Sequence, residues 1–375
     1  MFCPILLDLE VIVPHLYFQK AKMEKVYING IGCISAQKTV DTIFLEEAEL
    51  NEIDLILPVK VPVYKDYISP VASRRMAKGV KNGIVASALA MKEAQVMELD
   101  AIITGTGMGC IEDSEKFLKG IIENNEEFLT PISFIQSTHN TVGAQIALGL
   151  QCKGYNFTYV NGAVSFESSL LDAKMKIEES EASTILIGGI DEASDHTMSL
   201  LKLAGFIKKE KENPYLLLNS TTTGAIYGEG ATFFILEEEK NENTYAEVLD
   251  IEILNKLAAA AVEKKAESFL KSNGLQVSDI DAIVLGYNGD AEYDTYYKNL
   301  SENAFVNTPQ VYYKHLCGEY NTASAFGLWV GAKIIKTQQI PEIIKINKVE
   351  KPIYKTILLY NQYKGIDHSF ILISK

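Results

Sequence analysis

The chain has 375 residues, of which 47% are apolar and 22% are charged, so it is long enough for about two domains and too apolar to be disordered. Its 49 acidic residues outnumber 35 basic ones, and the net charge of −14 argues against a nucleic-acid partner or adhesion to anionic lipid. The five cysteines form no CxxC pair, so no metal site is expected, and such an odd, scattered set is typical of a reduced, cytoplasmic protein.

The first 22 residues are apolar but do not form a secretory signal. They contain Asp8, Glu10 and Pro14 and lack a basic start. We expect residues 1–22 to be an N-terminal extension, either a misassigned start upstream of Met23 or a disordered segment. No later stretch reaches the roughly 18 continuous apolar residues of a membrane span, so none is expected.

From Met23 onward, short apolar runs alternate with helical patterns. In chain order, strands are predicted over residues 26–28, 101–103, 157–160, 184–187 and 231–236. Helices are predicted over residues 79–97 and 168–179, where apolar residues recur every three or four positions. Strands that alternate with helices are typical of an α/β fold with largely buried strands.

The same scheme starts again after residue 245. Strands are predicted over residues 246–254, 282–287, 356–360 and 369–373, and helices over residues 256–272 and 323–335. The Lys/Glu-rich run 237–243 between the two sets is interpreted as a solvated loop. The pattern therefore predicts a duplicated α/β fold with halves at residues 23–245 and 246–375.

Four segments resemble the elongating β-ketoacyl-acyl carrier protein synthases of the thiolase superfamily. They are ITGTGMG (103–109), the unbroken stretch from YVNGAVSFESS to GGIDEAS (159–194), TGAIYGEGATFFILEEE (223–239) and YKHLCGEYNTASAFG (313–327). The resemblance implies a duplicated five-layer αβαβα sandwich that dimerises through the strand preceding the nucleophile. The activity it implies is that of a 3-oxoacyl-acyl carrier protein synthase, an acyltransferase.

The resemblance also locates the positions at which this family does its chemistry, which we call the seats. A cysteine before a helix takes the acyl chain as a thioester, and two histidines promote decarboxylation of the malonyl unit. The cysteine seat falls on Ala163 in NGAVS, and the histidine seats fall on Asn288 in LGYNGD and Glu319 in KHLCGE. Alanine has no nucleophile, and Glu319 would place an anion where the substrate carboxylate must come. We therefore expect no intact catalytic set.

A basic pair is the candidate docking site for acyl carrier protein. Arg74 and Arg75 are the only arginines, and they start a helix predicted over residues 74–91. This resembles the basic helix start on which such synthases dock their acidic carrier protein, and arginine suits a phosphopantetheine phosphate. The alternative is a solvated pair at a helix start.

Two further sets follow from the resemblance. The glycine-rich gate loop of the family is reduced to Asn361, Tyr363 and Gly365 in the segment NQYKGID. The bulky Phe134 and Phe166, near the strand of the family's dimer interface, are candidate floors of an acyl tunnel. A smaller residue at either position should lengthen the product.

Two other features of the sequence suggest a catalytic or binding role. Cys317 lies close to His315 and could serve as a nucleophile, although a small buried structural cysteine is the simpler interpretation. The run GTGMG suggests a phosphate loop, but it lacks the Lys-Ser/Thr of a Walker motif and fits a strand-to-turn glycine set better.

The favoured hypothesis is a chain-length-factor-type subunit without catalytic activity of its own. Such a subunit forms a heterodimer with an active ketosynthase in a type II fatty acid or polyketide-like pathway and helps to shape the acyl tunnel. It would need no cofactor, and the phosphopantetheine arm of acyl carrier protein would visit through the partner. The alternatives are β-ketoacyl synthase or malonyl decarboxylase activity through unrecognised residues, and a homodimeric pseudoenzyme with a structural role.

Overall fold

The computed structural model describes residues 24–50, 54–127, 129, 131–209 and 214–375, and the predicted extension 1–22 lies outside the described residues. The strands are β1 (Tyr27–Ile34), β2 (Ile56–Leu57), β3 (Ala101–Gly105), β4 (Tyr155–Tyr159), β5 (Thr184–Asp191), β6 (Tyr227–Gly228), β7 (Gly230–Glu237), β8 (Ala246–Asn255), β9 (Ala282–Leu285), β10 (Gln310–Tyr312), β11 (Thr356–Tyr363) and β12 (Asp367–Ser374). The helices are α1 (Pro70–Ser73), α2 (Lys78–Ala94), α3 (Ile111–Glu123), α4 (Pro131–Ser137), α5 (Thr141–Leu150), α6 (Ser165–Glu178), α7 (Asp195–Leu203), α8 (Val262–Ser272), α9 (Thr295–Asn299), α10 (Lys314–Cys317) and α11 (Ser324–Thr337).

Ten strands form one sheet whose two halves have the same topology. The order is β10-β9-β11-β12-β8-β1-β7-β5-β3-β4, with β2 and β6 forming a separate parallel pair. Each half contributes five strands to this sheet. Numbered by their order along the chain, they lie side by side as first, fifth, fourth, second and third, which is β1-β7-β5-β3-β4 in one half and β8-β12-β11-β9-β10 in the other. The first, fifth and fourth are antiparallel neighbours, and the fourth, second and third are parallel. The duplication predicted from the sequence is therefore present in the topology, while the domain boundary at residue 245 stays a prediction.

The two halves meet where the first strand of each half pairs with the other. β1 and β8 are antiparallel through Tyr27↔Glu247 and Ile28↔Ala246. β1 is buried along its whole length, and a Cβ at Gly30 or Gly32 would collide with backbone carbonyl oxygens of α2. Glycine is needed at these positions because the helix backbone approaches the strand this closely.

The helices make three layers that alternate with the two half-sheets. α2 and α5 cover the outer face of the first half, and α8 and α9 cover the outer face of the second. α6 and α11 lie between the two half-sheets in the largest hydrophobic core. α11 is nearly all apolar because it is buried on both faces. The αβαβα sandwich is confirmed.

The helix predicted to begin at Arg74 begins instead at Lys78. Ser69 and Pro70 start the separate short helix α1, in which the Ser69 hydroxyl accepts a hydrogen bond from the backbone N–H of Ala72 at 3.3 Å. Arg74 ends that helix, so the two arginines lie exposed in the connection between α1 and α2. Their role in carrier-protein docking stays a prediction, although the helix start on which it was based is wrong.

Buried Asp191, at the end of β5, joins three segments of the chain. One carboxylate oxygen accepts hydrogen bonds from the Thr106 hydroxyl (3.0 Å) and from the backbone N–H groups of Gly107 (2.8 Å) and Met108 (3.1 Å). The other accepts from the N–H and hydroxyl of Thr322, both at 2.9 Å, just before α11. The GTGMG segment is therefore a turn whose N–H groups are already bound, and it offers no cradle for a phosphate.

Asp191→Asn should destabilise the protein. The side-chain NH2 group of the asparagine cannot accept a hydrogen bond, so the N–H and hydroxyl donors to that one position lose their acceptor. We expect the free energy of unfolding in urea to fall by at least about 1–3 kcal/mol, the cost of one buried N–H without an acceptor. Asp66→Asn, at an exposed aspartate, is the matched control and should change little. Equal stability of the two variants would contradict this role for Asp191.

Candidate functional site

The first seat lies in a tight turn that leads into α6. Ala163 is buried in the 3-10 turn Gly162–Val164, and Gly162 has a φ of +57°. The Ser165 hydroxyl donates to the carbonyl of Gly162 at 2.7 Å and accepts from the N–H of Asn161 at 2.8 Å, which holds the turn. The turn presents only a methyl group where the resembling family carries its thiol.

The second and third seats are in direct contact. The Asn288 side-chain amide donates to Glu319 Oε2 at 2.7 Å, and Lys314 Nζ donates to the same oxygen at 2.7 Å. Lys314 and Glu319 are only 1% and 2% exposed, so the two opposite charges compensate each other in the interior. The carbonyl of the Asn288 side chain accepts from the N–H of Asp290 at 3.0 Å. Asn288 and Glu319, the positions that the resemblance assigns to the two histidines, are therefore tied into one hydrogen-bonded network.

A buried carboxyl group lies one helical turn from the first seat. Glu167 lies one helical turn after Ala163, accepts a hydrogen bond from the Ser369 hydroxyl at 2.7 Å, and has one oxygen without a hydrogen-bond partner. Burial raises the pKa of Glu167, while the nearby charge of Lys314 lowers it. Asn288 and Glu319 are joined by a hydrogen bond, whereas Ala163 contributes no polar side-chain atom.

The cavities beside Glu319 are small. One of about 70 Å³ is lined by Met108, Met198 and Tyr320, and another of about 10 Å³ lies beside Asn288. Tyr227 and Tyr363 border both cavities, and their hydroxyl groups are 3.2 Å apart. Small-molecule sites usually enclose about 300–1,000 Å³, so these cavities have no room for an acyl chain or a pantetheine arm.

The predicted gate-loop remnant is a β-hairpin rather than a loop. Asn361 and Tyr363 lie on β11, which pairs with β12 up to Tyr363↔Asp367, and Gly365 lies in the connecting turn with a φ of +62°. The amine of Lys364, also in the turn, lies against the ring of Phe206, and burial lowers its pKa to about 8. Regular strand pairing holds this segment, where the resembling family has a flexible, glycine-rich loop. Tyr363 and Lys364 line the smaller cavity, so the hairpin closes it.

The two candidate tunnel residues lie in different environments. Phe166 is fully buried between the half-sheets, with its ring 5.7 Å from that of Phe234, so it fills the central core. Phe134 is half-exposed on α4, with its ring 5.3 Å from that of Phe117. A tunnel role for either phenylalanine stays a prediction, and only Phe134 lies where another molecule can reach it.

Cys317 and His315 do not form a nucleophile–base pair. The Cys317 thiol donates to the carbonyl of Gly318 at 3.3 Å, and burial raises its pKa well above the usual value. His315 Nε2 lies 2.9 Å from the carbonyl oxygen of Ile343, and burial lowers the pKa of the imidazole to about 3. Within the described part of the chain, no group of three or more His, Cys, Asp or Glu side chains could hold a metal ion.

Lys314 is the site residue that sequence reasoning missed. It belongs to the same KHLCGE segment as the Glu319 seat, and a lysine five residues before a new buried acid was a usable signal. Only the turn between α10 and Glu319 brings the two charges together, because Gly318 adopts a φ of +78° there.

An apolar face with few charges lies on the side of β4, and at its margin the Tyr155 hydroxyl donates to Asp172 at 3.1 Å. From Pro131 to Phe166 the only Asp, Glu, Lys or Arg is Lys153. This segment includes α4, α5 and β4, and β4 is the last strand of the sheet. Its exposed apolar side chains are Ile132, Phe134, Ile135, Leu148, Leu150, Tyr155, Phe157 and Val160. An unpaired edge strand with exposed aromatic residues is a template for pairing with another chain.

Comparison with known proteins finds similarity to one family. Residues 63–242 match the family "Beta-ketoacyl synthase, N-terminal domain". The chain is therefore similar to β-ketoacyl synthases over this segment. It is 22% identical over 259 residues to 3-oxoacyl-[acyl-carrier-protein] synthase 2 of Staphylococcus aureus, a match that covers 60% of this chain. The chain spans 62% of the length of that curated relative.

Solved structures share the fold over nearly the whole chain. The ishigamide ketosynthase/chain length factor superposes with a TM-score of 0.75 at 18% identity, covering 94% of this chain and 99% of that one. A β-ketoacyl synthase from Burkholderia phymatum gives 0.75 at 15% identity, covering 94% and 100%. A ketosynthase in complex with its chain length factor from Xenorhabdus doucetiae gives 0.71 at 13% identity, covering 94% and 98%.

Glu319→Gln should destabilise the protein, because it leaves the buried ammonium of Lys314 without a counter-charge. The free energy of unfolding should fall by about 3–5 kcal/mol, the usual cost of breaking a buried ion pair on one side. The double variant Lys314→Met/Glu319→Gln removes both charges and should recover at least half of that loss in urea denaturation. If the loss of stability in the double variant equals the sum of the losses in Lys314→Met and Glu319→Gln, the two residues are not energetically coupled.

The contribution of Glu192 to stability should fall as the pH rises from about 4.3 to 7, because burial raises the pKa of this residue, which lies beside the larger cavity, to about 7. The unfolded glutamate ionises near pH 4.3, so the favourable contribution is full below that pH and is lost as the pH rises through 7. The slope per group is up to about 1.4 kcal/mol per pH unit. Buried His315, whose pKa is lowered to about 3, contributes a slope of the opposite sign below about pH 6.5.

Glu192→Gln should flatten this dependence, measured by urea unfolding at pH 5.5, 6.5 and 7.5. Asp294, whose pKa burial also raises to about 7, should leave a residual slope of the same sign. Glu267→Gln, at an exposed glutamate, is the control. An unchanged slope in Glu192→Gln would show that Glu192 does not titrate in this range.

Proposed function

We propose that this chain is a non-catalytic, chain-length-factor-type subunit that pairs with an active ketosynthase in a type II fatty acid or polyketide-like pathway. The observation that carries the proposal is the state of the seats, where a methyl group and a buried Lys314–Glu319–Asn288 network replace a thiol and two imidazoles.

The chemistry of the seats supports the absence of condensation. Ala163 cannot form a thioester, and Glu319 is charge-paired and buried, so it neither donates a hydrogen bond to an enolate oxygen nor attracts a malonyl carboxylate. His315 and His368 are buried elsewhere, with ring nitrogens 2.9 Å from the Ile343 carbonyl oxygen and 3.0 Å from the Tyr360 hydroxyl oxygen. Among the described residues, neither histidine is hydrogen-bonded to Ala163, Asn288 or Glu319.

The apolar face of α4, α5 and β4 supports pairing with another subunit. A second α/β sandwich can extend the sheet at β4 while meeting few charges, because Lys153 is the one Asp, Glu, Lys or Arg within residues 131–166 and Asp172 and Lys176 flank Tyr155 at the margin. Two of the solved structures named above are described as a ketosynthase with a chain length factor. Phe134 lies on this face and can therefore reach the tunnel of a partner, as the tunnel hypothesis requires.

Acyl carrier protein is the third member of the proposed assembly. Its acidic surface would meet the exposed Arg74 and Arg75 or dock on the ketosynthase, and its phosphopantetheine arm would enter the partner's site because the cavities here are closed. No cofactor is needed on this chain. We place the assembly in the cytoplasm. None of the helices in the described residues is long and apolar enough to cross a lipid bilayer.

A homodimeric pseudoenzyme is the second candidate, and the same apolar face is compatible with it. A twofold-symmetric interface uses the same surface of both subunits, so a second copy of this chain could pair through this face. Pairing experiments decide between the two candidates.

Co-expression with the ketosynthase of the same gene neighbourhood tests the proposal. A stable heterodimer should elute in size-exclusion chromatography, and Phe157→Lys on the exposed edge of β4 should weaken it at least about tenfold, because the variant replaces an aromatic contact with a charge that must be desolvated in the interface. Met97→Lys, at an apolar residue that is 87% exposed, is the matched control and should leave the heterodimer intact. A homodimer that ignores the ketosynthase would support the second candidate instead.

Acyl loading tests the absence of catalysis in the same preparation. After incubation with carrier protein that bears an acyl group, mass spectrometry should find that acyl group on the ketosynthase and none on this chain. A covalent acyl adduct on this chain would overturn the non-catalytic assignment and favour a synthase or decarboxylase with an unrecognised nucleophile.

A further inference from the structure

The larger cavity beside Glu319, with a volume of about 70 Å³, is lined by acids and by no base. Asp191, Glu192 and Glu319 border it, and no lysine, arginine or histidine of the described chain does. The two carboxylate oxygens of Asp191 already accept hydrogen bonds, and Glu192 accepts one from the backbone N–H of Gly79. These two acids therefore make the cavity electronegative without offering it a free oxygen.

Glu319 does offer a free oxygen. Lys314 and Asn288 both bind its Oε2, and no described residue donates a hydrogen bond to Oε1. Glu319 is only 2% exposed, yet Oε1 is not enclosed by protein atoms in the way that the unpartnered oxygen of Glu167 is, because Glu319 borders the cavities. A buried carboxylate oxygen without a donor is costly unless the cavity holds a partner for it.

Three neutral polar groups surround the same space. The side-chain amide of Asn321 lines the larger cavity and has no hydrogen-bond partner among the described residues. The hydroxyl groups of Tyr227 and Tyr363 lie 3.2 Å apart, and both oxygens keep lone pairs when one hydroxyl donates to the other. A carboxylate, a carboxamide and two hydroxyls form an oxygen-rich lining, and oxygen ligands are the ones that hard cations prefer.

The size and the charge of this lining select a monovalent ion. A cavity of about 70 Å³ has room for an ion of the size of a water molecule and one or two waters, since each water occupies about 30 Å³. Calcium instead takes about six to eight oxygen ligands, among them several carboxylates. No group of three His, Cys, Asp or Glu side chains within the described ranges could hold such a metal.

We infer that the larger cavity binds a potassium or ammonium ion through Glu319 Oε1, the side-chain oxygen of Asn321 and the hydroxyl groups of Tyr227 and Tyr363. Lys314 compensates the charge at Oε2, and the ion supplies the positive charge that the cavity side of the carboxylate lacks. The inference goes beyond the proposed function and does not depend on it, because every ligand comes from this chain.

Thermal unfolding of the full chain at pH 8, above the pKa of about 7 of Glu192, tests the inference. Potassium or ammonium chloride replaces choline chloride stepwise at constant chloride concentration, because choline is too large for the cavity. An ion that binds the folded state raises the melting temperature, and we expect a rise of about 2 °C or more at about 100 mM. The salt with the larger effect distinguishes potassium from ammonium. Equal melting temperatures in all three salts, or a larger rise with magnesium chloride, would overturn the inference.

Asn321→Leu removes one oxygen ligand without breaking a hydrogen bond to any described residue. The affinity for the ion, obtained from the melting temperature at each concentration, should fall at least about tenfold, while the melting temperature in choline chloride stays the same. Asn321→Asp adds a carboxylate and should enlarge the effect of the ion. Asn307→Leu, at an exposed asparagine outside both cavities, is the matched control. If Asn321→Leu responds to the ion as the parent chain does, the cavity is not the site.

A crystal soaked in rubidium chloride locates the ion directly, because rubidium replaces potassium and scatters anomalously. An anomalous peak beside Glu319 Oε1 and Tyr363 is expected, and peaks confined to the protein surface would contradict the site. Pairing with the ketosynthase is measured separately on the parent chain. A bound ion in a chain that forms no heterodimer would leave this inference standing while the proposed function fails.

Discussion

Two half-sheets share one buried helical layer, and this constraint governs most of the structure. α6 and α11 must each present apolar side chains to two sheets at once, so their entry points have to be positioned accurately. The carboxylate of Asp191 does this for α11, by binding Thr322 before the helix and the Gly107–Met108 turn with its other oxygen. Because the donors come from both halves, that one side chain couples the duplicated units.

The interior beside this layer keeps charge where the resembling family keeps catalytic groups. A buried ion pair offers little stability compared with an apolar replacement, but losing one partner is costly. Lys314 and Glu319 are therefore retained together, with Asn288 as the neutral third member. The same packing leaves only small cavities beside Glu319, so the scaffold persists while the space for a substrate is filled.

The duplicated topology makes the difference between the two sheet edges informative. β4 and β10 are equivalent third strands, yet β10 is buried and Val311 bridges to Lys345, so its own chain covers it. β4 instead exposes Tyr155 and Phe157. An uncovered edge with aromatic side chains is costly for an isolated chain, which makes association on that side favourable.

The sequence by itself determined the duplicated α/β fold, while the positions of the seats stay a prediction from the resemblance. Three long elements lie within a few residues of their predicted bounds: the helices Lys78–Ala94 and Ser324–Thr337 and the strand Ala246–Asn255. Their bounds were predictable because a long periodic pattern of apolar residues indicates which face of an element is buried. Only the tertiary structure decided between the two predicted starts of the first long helix, residue 79 from periodicity and Arg74 from the resemblance, and placed it at Lys78. It alone showed that Lys314 neutralises Glu319 and that the gate segment is a hairpin. Those outcomes depend on contacts between residues distant in sequence or on the exact path of short turns, and a local pattern of residue types does not encode either.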